Sequence, residues 1–393
     1  MRFICSGTTG IDKQTAVEEF KTFSKIKNKN EINIISLESF LKEKGGFDDI
    51  TLFLNSYNWQ AQKNAWENAF RQILEDLEKV ESDITILCTH LVYYRNSRFL
   101  LPLNMNLIEK FNPDGFITII DDVYLLKKRI QNRSETSPFK TELRLRDLIA
   151  WRSIETNIAD MLCMHLSNEK QIINYLISVK QPVSTLYNLI YEPEKLKTYV
   201  AHPISSTREN SKLIDEIEDF KSLMHENFTV FDPTTIDERL LSKSLEEQYP
   251  DWRTMSKGKL ADSIVKITLD KRWPIRHSPL LCPDISDLFP ISLPADEIVE
   301  VTQDIDNQIQ NRDYRLIAQS DALVAYRPNL GGKLSTGVFS EMQYARDVAF
   351  KPCHMYFPLE DGTEESTPFK GRGSVYMEIK AMIENLGRHK DER

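Results

Sequence analysis

Residues 312–341, RDYRLIAQSDALVAYRPNLGGKLSTGVFSE, decide how this chain is read. Asp313 opens a helical pattern that closes on a Ser-Asp step, Ser320-Asp321. Ala322–Tyr326 is an apolar run of strand length. A loop containing glycine and serine then delivers Glu341 at the start of a second helical run, EMQYARDVAF. Helix, apolar strand, loop and helix are pieces of a repeating strand–helix unit, whose parallel sheet is covered on both faces. Such sheets bind ligands beyond the carboxyl ends of their strands. A carboxylate brought there by a loop is placed for chemistry on a small polar ligand.

The same alternation runs outward from this stretch. In the first half, strands are expected at Arg2–Cys5, Ile32–Ile35, Ile84–Cys88, Gly115–Ile120 and Ile172–Ser178. Helices are expected at Asp12–Phe23, Asn58–Val80, Leu143–Leu166 and Val183–Tyr191. The charged, proline-containing segment YEPEKLK breaks the pattern and sets a domain boundary at residues 192–197. Thr198–Ala201 restarts it as a strand, followed by a helix over Asn210–Glu226 and a strand over Thr229–Phe231. Residues 233–300 are expected to be an irregular, proline-rich insertion or lid. The expectation is an α/β protein of two domains, each a mainly parallel sheet covered by helices.

The bulk numbers agree with this. The chain has 393 residues, enough for two cores, and ordinary apolar (41%) and charged (28%) content. A net charge of −9 and a pI near 5.5 argue against a nucleic-acid binder, which needs a basic footprint. The five cysteines, Cys5, Cys88, Cys163, Cys282 and Cys353, are scattered and include no C-x-x-C pair. They read as reduced thiols of a cytoplasmic protein, with no metal site. No apolar run is long enough for a bilayer, and MRFICSGTTG has no signal-peptide pattern.

Gly7-Thr-Thr-Gly-Ile-Asp-Lys-Gln lies between a strand and a helix, where a P-loop would read G-x-x-x-x-G-K-[ST]. Gly7 and Lys13 fit, with Gly10 inside the loop. Asp12 replaces the second glycine, and Gln14 replaces the hydroxyl that holds Mg²⁺. An acid in a phosphate nest repels the ligand. Residues 1–191 resemble the adenylate-kinase-like P-loop kinases, through this degenerate loop, GFITIIDDVYLLKKRIQNR and LRLRDLIAWRSIE. The resemblance implies nucleotide contacts from Gly7, Gly10, Lys13, Arg129, Arg133, Arg144, Arg146 and Arg152, with ATP and Mg²⁺ as ligands. The plainer reading makes the arginines solvated helix charges and the domain a degenerate sensor or a structural unit. Asp121 and Asp122 read either as metal ligands or as a helix cap.

Residues 198–393 resemble the nucleoside 2-deoxyribosyltransferase superfamily, including its nucleoside 5′-monophosphate N-glycosidases. The pieces are TYVAHPISSTREN, Asp313 eight residues before Asp321, ALVAYRP, and STGVFSEMQYA with Gly337, Glu341 and Ala345 in place. Gln343 stands where the family pattern has a second glycine. The resemblance implies a flavodoxin-like (Rossmann-like) fold, Glu341 acting at C1′, and Asp313 as the acid on the base side. It implies substrate contacts from Tyr199, His202, Ser205, Ser206, Arg208, Ser335 and Gly337. Ser335, where the transferases carry an acid, points to a 5′-phosphate, and Lys333 and Arg327 could add to it. It also implies a homo-oligomer, a nucleotide or nucleoside substrate and no cofactor for bond cleavage, while the charge and hydropathy already speak against a nucleic-acid or membrane partner. The residues alone leave plainer readings open: Glu341 as a dipole-favoured helix acid, Asp313 as a helix-start acid, His202 in a loop hydrogen bond, the serines as a turn. A nucleotide kinase with a salvage partner domain and a non-catalytic nucleotide-binding regulator are the rival functions.

Overall fold

A computed structural model describes residues 1–27, 31–45, 58–79, 82–95, 97–134, 143–167, 171–204, 207, 210–268, 288–327, 329–330, 333–357 and 371–391. In chain order its elements are β1 (Arg2–Ser6), α1 (Lys13–Ile26), β2 (Ile32–Ser36), α2 (Leu37–Gly45), α3 (Trp59–Leu77), β3 (Ile84–Cys88), β4 (Tyr93–Arg95), β5 (Arg98–Leu100), α4 (Met105–Phe111), β6 (Gly115–Ile120), α5 (Val123–Ser134), α6 (Leu145–Leu166) and β7 (Asn174–Ser178). There follow α7 (Val183–Tyr191), β8 (Lys197–Ala201), α8 (Ser211–Asn227), β9 (Thr229–Phe231), α9 (Arg239–Gln248), α10 (Lys257–Ala261), β10 (Ile264–Ile267) and β11 (Ile291–Pro294). The last are α11 (Ala295–Ala318), β12 (Ala322–Tyr326), β13 (Asn329–Leu330), β14 (Lys333–Leu334), α12 (Thr336–Asp347), β15 (Cys353–Tyr356), β16 (Ser374–Tyr376) and α13 (Ile379–Asp391).

The chain forms two compact units. The described residues of the first fall within 1–179, 237–268 and 288–303, and those of the second within 180–236 and 304–393. The units change over at Val179–Lys180, ahead of the 192–197 segment at which the sequence places its boundary. Helix α7 belongs to the second unit and packs on β9, burying Leu186, Leu189 and Ile190.

The first unit holds a five-stranded sheet in the order β2-β3-β1-β6-β7, every pair parallel. Strands β3 and β6 are buried along their whole length, as helix-covered parallel strands must be. The four described cysteines are buried thiols.

The second unit holds a five-stranded sheet in the order β16-β15-β12-β8-β9, again all parallel. The two-residue period of a strand sorts its side chains. Val200 of β8 and Val324 of β12 join Ile217, Phe220 and Met224 of α8 and Met382 and Leu386 of α13 in one core. Tyr199 points to the opposite face.

The region 233–300 corrects the expectation of irregularity. Its described part contains α9, α10 and the antiparallel pair β10–β11, before α11 begins. The pattern explains this. Leu240, Leu241 and Leu245 form the buried stripe of α9, and Val265, Ile267, Ile291 and Leu293 alternate inward on β10 and β11. Residues 269–287, which carry Pro274, Pro279 and Pro283, lie outside the described residues.

Candidate active site

Renumbered within the second unit, the strand order is 2-1-3-4-5, with β8 first and β12 third. That order has its topological switch point between these two neighbours, because the chain leaves them toward opposite edges. His202 follows β8 and Arg327 follows β12. Arg327 adopts a left-handed φ of 44° and gives its Nη1 to Glu216 of α8 at 2.7 Å. It is therefore tied to the helix beside it instead of standing as a loose phosphate contact.

Three side chains meet on the Tyr199 face. Tyr199 is fully buried in β8, Asp313 projects from α11, and Glu341 from α12. Both acids sit differently in their helices from the sequence expectation. Asp313 does not open a helix; it lies near the end of one that starts at Ala295. Glu341 does not start its helix; Ser335 caps that helix and Glu341 lies in its second turn. The two helices are pinned together beside the acids. The Tyr314 and Tyr344 rings stack at 4.0 Å with 1° between planes, and the Tyr314 and Ser340 hydroxyls lie 2.8 Å apart.

The acids differ in what touches them. Arg312 brings Nε and Nη2 to one oxygen of Asp313, at 3.1 and 2.9 Å, and its Nη2 also donates to the Pro233 carbonyl at 3.4 Å. Glu341 is part-buried, and among the described residues no cation pairs with it. Burial first, then the Asp313 charge, push its carboxyl well above the usual carboxylate range, while the Tyr199 hydroxyl and Arg312 act the other way. Burial, with the same two acids, likewise pushes the Tyr199 phenol up. That hydroxyl has no hydrogen-bond partner of good geometry among the described residues. The Glu341 carboxyl is its neighbour there.

His202 belongs to a second, internally balanced group. Lys221 of α8 pairs with Glu218 at 2.6 Å and Asp232 at 2.8 Å, and Thr234 donates to Asp232 through both N and Oγ1. Burial and the Lys221 charge lower the His202 pKa to about 3, so its ring is neutral at ordinary pH. No feature of the sequence marked Lys221 or Asp232, and Arg312 was read only as the start of a segment.

Ser335 has a structural task, its Oγ accepting from Val338 N at 3.5 Å as the N-cap of α12. At Gly337, nothing described lies within 4 Å of where a Cβ would sit, so the glycine leaves open space. Ser205, Ser206, Arg208 and the Lys333 side chain lie outside the described residues.

The loop after β1 gathers charge in the first unit. A Cβ at Gly7 would sit 2.5 Å from the Ile119 carbonyl oxygen, and Gly10 has φ 86° against Ile130 and Leu126, so both glycines let the loop pack on β6 and α5. Asp12 caps α1 through Thr15 N. Lys13 Nζ donates to the Gly7 carbonyl at 3.2 Å and meets His90 Nε2 at 3.1 Å; the same His90 nitrogen lies 2.9 Å from Glu38. Arg129 pairs with Asp121, and Arg152 with Glu238. Arg144 pairs with Asp296 and Glu300, and Arg146 with Glu300. The Arg133 side chain lies outside the described residues. Asp121 also caps the Asp122 amide, and Asp122 accepts from Asp237 N. Each described cation thus already has a carboxylate close by, and this balance does not fit a triphosphate with its magnesium. No cluster of three metal-ligating side chains occurs among the described residues, and none of the described helices is long and apolar enough to cross a membrane.

No protein-family model and no curated protein sequence matches the chain. Among solved structures, the UDP-GlcNAc 2-epimerase from Methanocaldococcus jannaschii shares 11% identity over 99% of this chain and 92% of its own, at a TM-score of 0.20. At that score the likeness carries no argument about fold or function.

Proposed function

We propose that the second unit cleaves the N-glycosidic bond of a nucleotide, by hydrolysis or by transfer of the sugar. The observation that supports this reading is that α11 and α12, pinned together by the Tyr314–Tyr344 stack and the Tyr314–Ser340 contact, carry Asp313 and Glu341 toward the buried Tyr199. Breaking a base–sugar bond builds positive charge at C1′ and negative charge on the departing base nitrogen. The reaction therefore needs one carboxylate and one proton, and two interacting acids supply both when they share a single proton. The sequence resemblance supports the same class of reaction and gives Glu341 the C1′ side. It also supports a homo-oligomer; the scattered cysteines support a cytoplasmic enzyme, and the degenerate P-loop a nucleotide-sensing role for the first unit. The chemistry calls for no cofactor.

Incubation with a panel of nucleosides, nucleotides and NAD, followed by chromatography of free base, tests the reading. Base release by the wild type that Glu341→Gln abolishes supports it. No release from any substrate, together with ADP formation that Lys13→Ala abolishes, would defeat it in favour of a kinase. Binding without turnover would favour a regulator. Comparing a nucleoside with its 5′-monophosphate tests the phosphate preference. Equal rates, unaffected by Arg208→Ala or Ser335→Ala, would refute that part.

A further inference from the structure

An ion pair between neighbours in one helix joins no two elements, so its effect is on where its charges stand. Arg312 and Asp313 of α11 form such a pair. Adjacent residues of a helix do not face each other, yet Arg312 Nε and Nη2 both reach Asp313 Oδ1, at 3.1 and 2.9 Å. Both side chains are about nine-tenths buried. The guanidinium is also held from outside the helix, its Nη2 donating to the Pro233 carbonyl at 3.4 Å. Pro233 opens the 3-10 turn Pro233–Thr235 after β9, and that turn is itself fixed. Asp232 caps it, accepting from Thr234 N and Oγ1 at 2.8 and 2.7 Å. Lys221 of α8 reaches Asp232 at 2.8 Å and Thr234 Oγ1 at 3.0 Å, and pairs with Glu218. Gln181, ahead of α7, donates to the Asp232 carbonyl at 3.2 Å. The Asp313 carboxyl thus stands at the end of a continuous chain of contacts that begins on α8.

Resting on the N-glycosidase reading of this site, we infer that Arg312 is a positioning residue that holds the Asp313 carboxyl in place for the departing base, with the turn clamped by Lys221 and Asp232 as its anchor. The sequence resemblance gives Asp313 the base side and gives Arg312 no task; the roles of the two acids stay as it implies. Positioning matters there because a side chain exchanges a proton with a leaving group only within hydrogen-bond reach. Two torsions lie between the aspartate backbone and its carboxyl, and each has more than one well. Two donors on one oxygen, from a guanidinium bonded to a second element, fix both the rotamer and the plane of that carboxyl. A lysine at 312 would supply the charge without the planar two-donor grip.

Base release from the best nucleotide of the panel, measured for the wild type, Arg312→Gln, Asp313→Asn and the double variant, tests the assignment. Arg312→Gln is expected to lower kcat by about 10²-fold, the cost of a misplaced group, and to leave KM nearly unchanged. Asp313→Asn is expected to lose at least as much. The double variant is expected to be no slower than Asp313→Asn, because Arg312 acts only through that carboxyl. Arg312→Lys is expected to fall between the wild type and Arg312→Gln. An arginine that merely supported the fold would behave otherwise, its loss multiplying with that of Asp313→Asn. Multiplied losses, or an Arg312→Gln enzyme with wild-type kcat, overturn the inference. If Arg312→Gln melts below the assay temperature, Arg312→Lys replaces it in the cycle and decides by the same comparison. A wild type that releases no base from any nucleotide defeats the N-glycosidase reading and this assignment together. A wild type that releases base while the losses multiply defeats the assignment alone.

Discussion

The loop after β1 and the α11–α12 pair both gather charge within an α/β unit, and they handle it in opposite ways. In the first unit, each described candidate cation has a carboxylate within an ion pair or one histidine away: Lys13 through His90 to Glu38, Arg129 with Asp121, Arg152 with Glu238. In the second, among the described residues, Glu341 lacks a cation partner, and it lies near another acid and a buried phenol. A balanced group holds elements together; an unbalanced one stores affinity for a proton or a ligand. The difference explains why the region with the better-known motif is the weaker candidate for chemistry.

The largest expected effect lies at Glu341. Glu341→Gln removes either the proton or the charge the reaction needs, and base release should fall by about 10³-fold or more. Stability should move the other way. The folded protein holds the Glu341 proton more tightly than the unfolded chain does, so stability falls as pH rises from the ordinary carboxylate value of 4.5 toward the raised one. Glutamine carries no such penalty at neutral pH. Calorimetry at pH 7.5 should show a higher Tm, by about 2–4 °C for each kcal/mol recovered. A lower Tm would make Glu341 a structural acid.

The first unit should respond in reverse. Glu238 anchors Arg152 Nη1 and Nη2 at 2.6 and 3.0 Å and accepts the Val123 amide, all in a buried setting. Glu238→Ala leaves that guanidinium uncompensated and should cost about 3–5 kcal/mol in denaturant unfolding. A loss below about 1 kcal/mol would break the claim that these charges are structural. Glu38→Gln probes the same balance more gently. It frees Lys13 from its carboxylate, and pyrophosphate or ATP should then bind measurably by calorimetry where the wild type does not, with the gain lost in the Glu38→Gln/Lys13→Ala double variant. Equal binding by the wild type would show that the loop never was neutralised.

The second unit should be acid-labile. His202 has a folded pKa near 3 against an ordinary 6.5, so the unfolded chain binds more protons between those values. Its contribution is present above pH 6.5 and is lost as pH falls toward 3. Asp232 acts in the same direction: burial raises its pKa, but Lys221 and the other polar contacts more than reverse this and hold it well below normal. The Tm of the second unit's transition should drop through this window, and His202→Gln should flatten the drop.

Much of the fold was legible because buried parallel strands are continuous apolar runs. Ile84–Cys88, Gly115–Ile120, Thr229–Phe231 and Ala322–Tyr326 were read at the bounds they adopt. Helix starts were less legible. Asp313 looked like a helix opener because acids favour first turns, yet Ile298, Val301 and Ile305 already form the buried stripe of the helix that contains it. The two acids and Tyr199 were marked by their motifs. The balance around them was not, because it depends on contacts that spacing does not encode. Arg312 and Asp313 are adjacent in a helix, where facing is not expected, and Lys221 meets Asp232 only after a strand has intervened.

Ser335 separates the two kinds of site at the smallest scale. As a cap it makes one long hydrogen bond to the Val338 amide, and its loss should cost about 1 kcal/mol of stability, within the usual range for N-caps. A cap contributes equally whatever the substrate, so Ser335→Ala acting through α12 alone should change kcat/KM for a nucleoside and for its 5′-monophosphate by the same factor. A hydroxyl that also met a phosphate would lower kcat/KM for the monophosphate selectively, by roughly tenfold for a charge-assisted hydrogen bond of about 1.5 kcal/mol. The ratio of the two changes isolates phosphate recognition from helix stability, because the cap cancels in it. Parity would assign Ser335 to the fold; a monophosphate-specific loss would add it to the poised side of the molecule, beside Glu341 and Asp313.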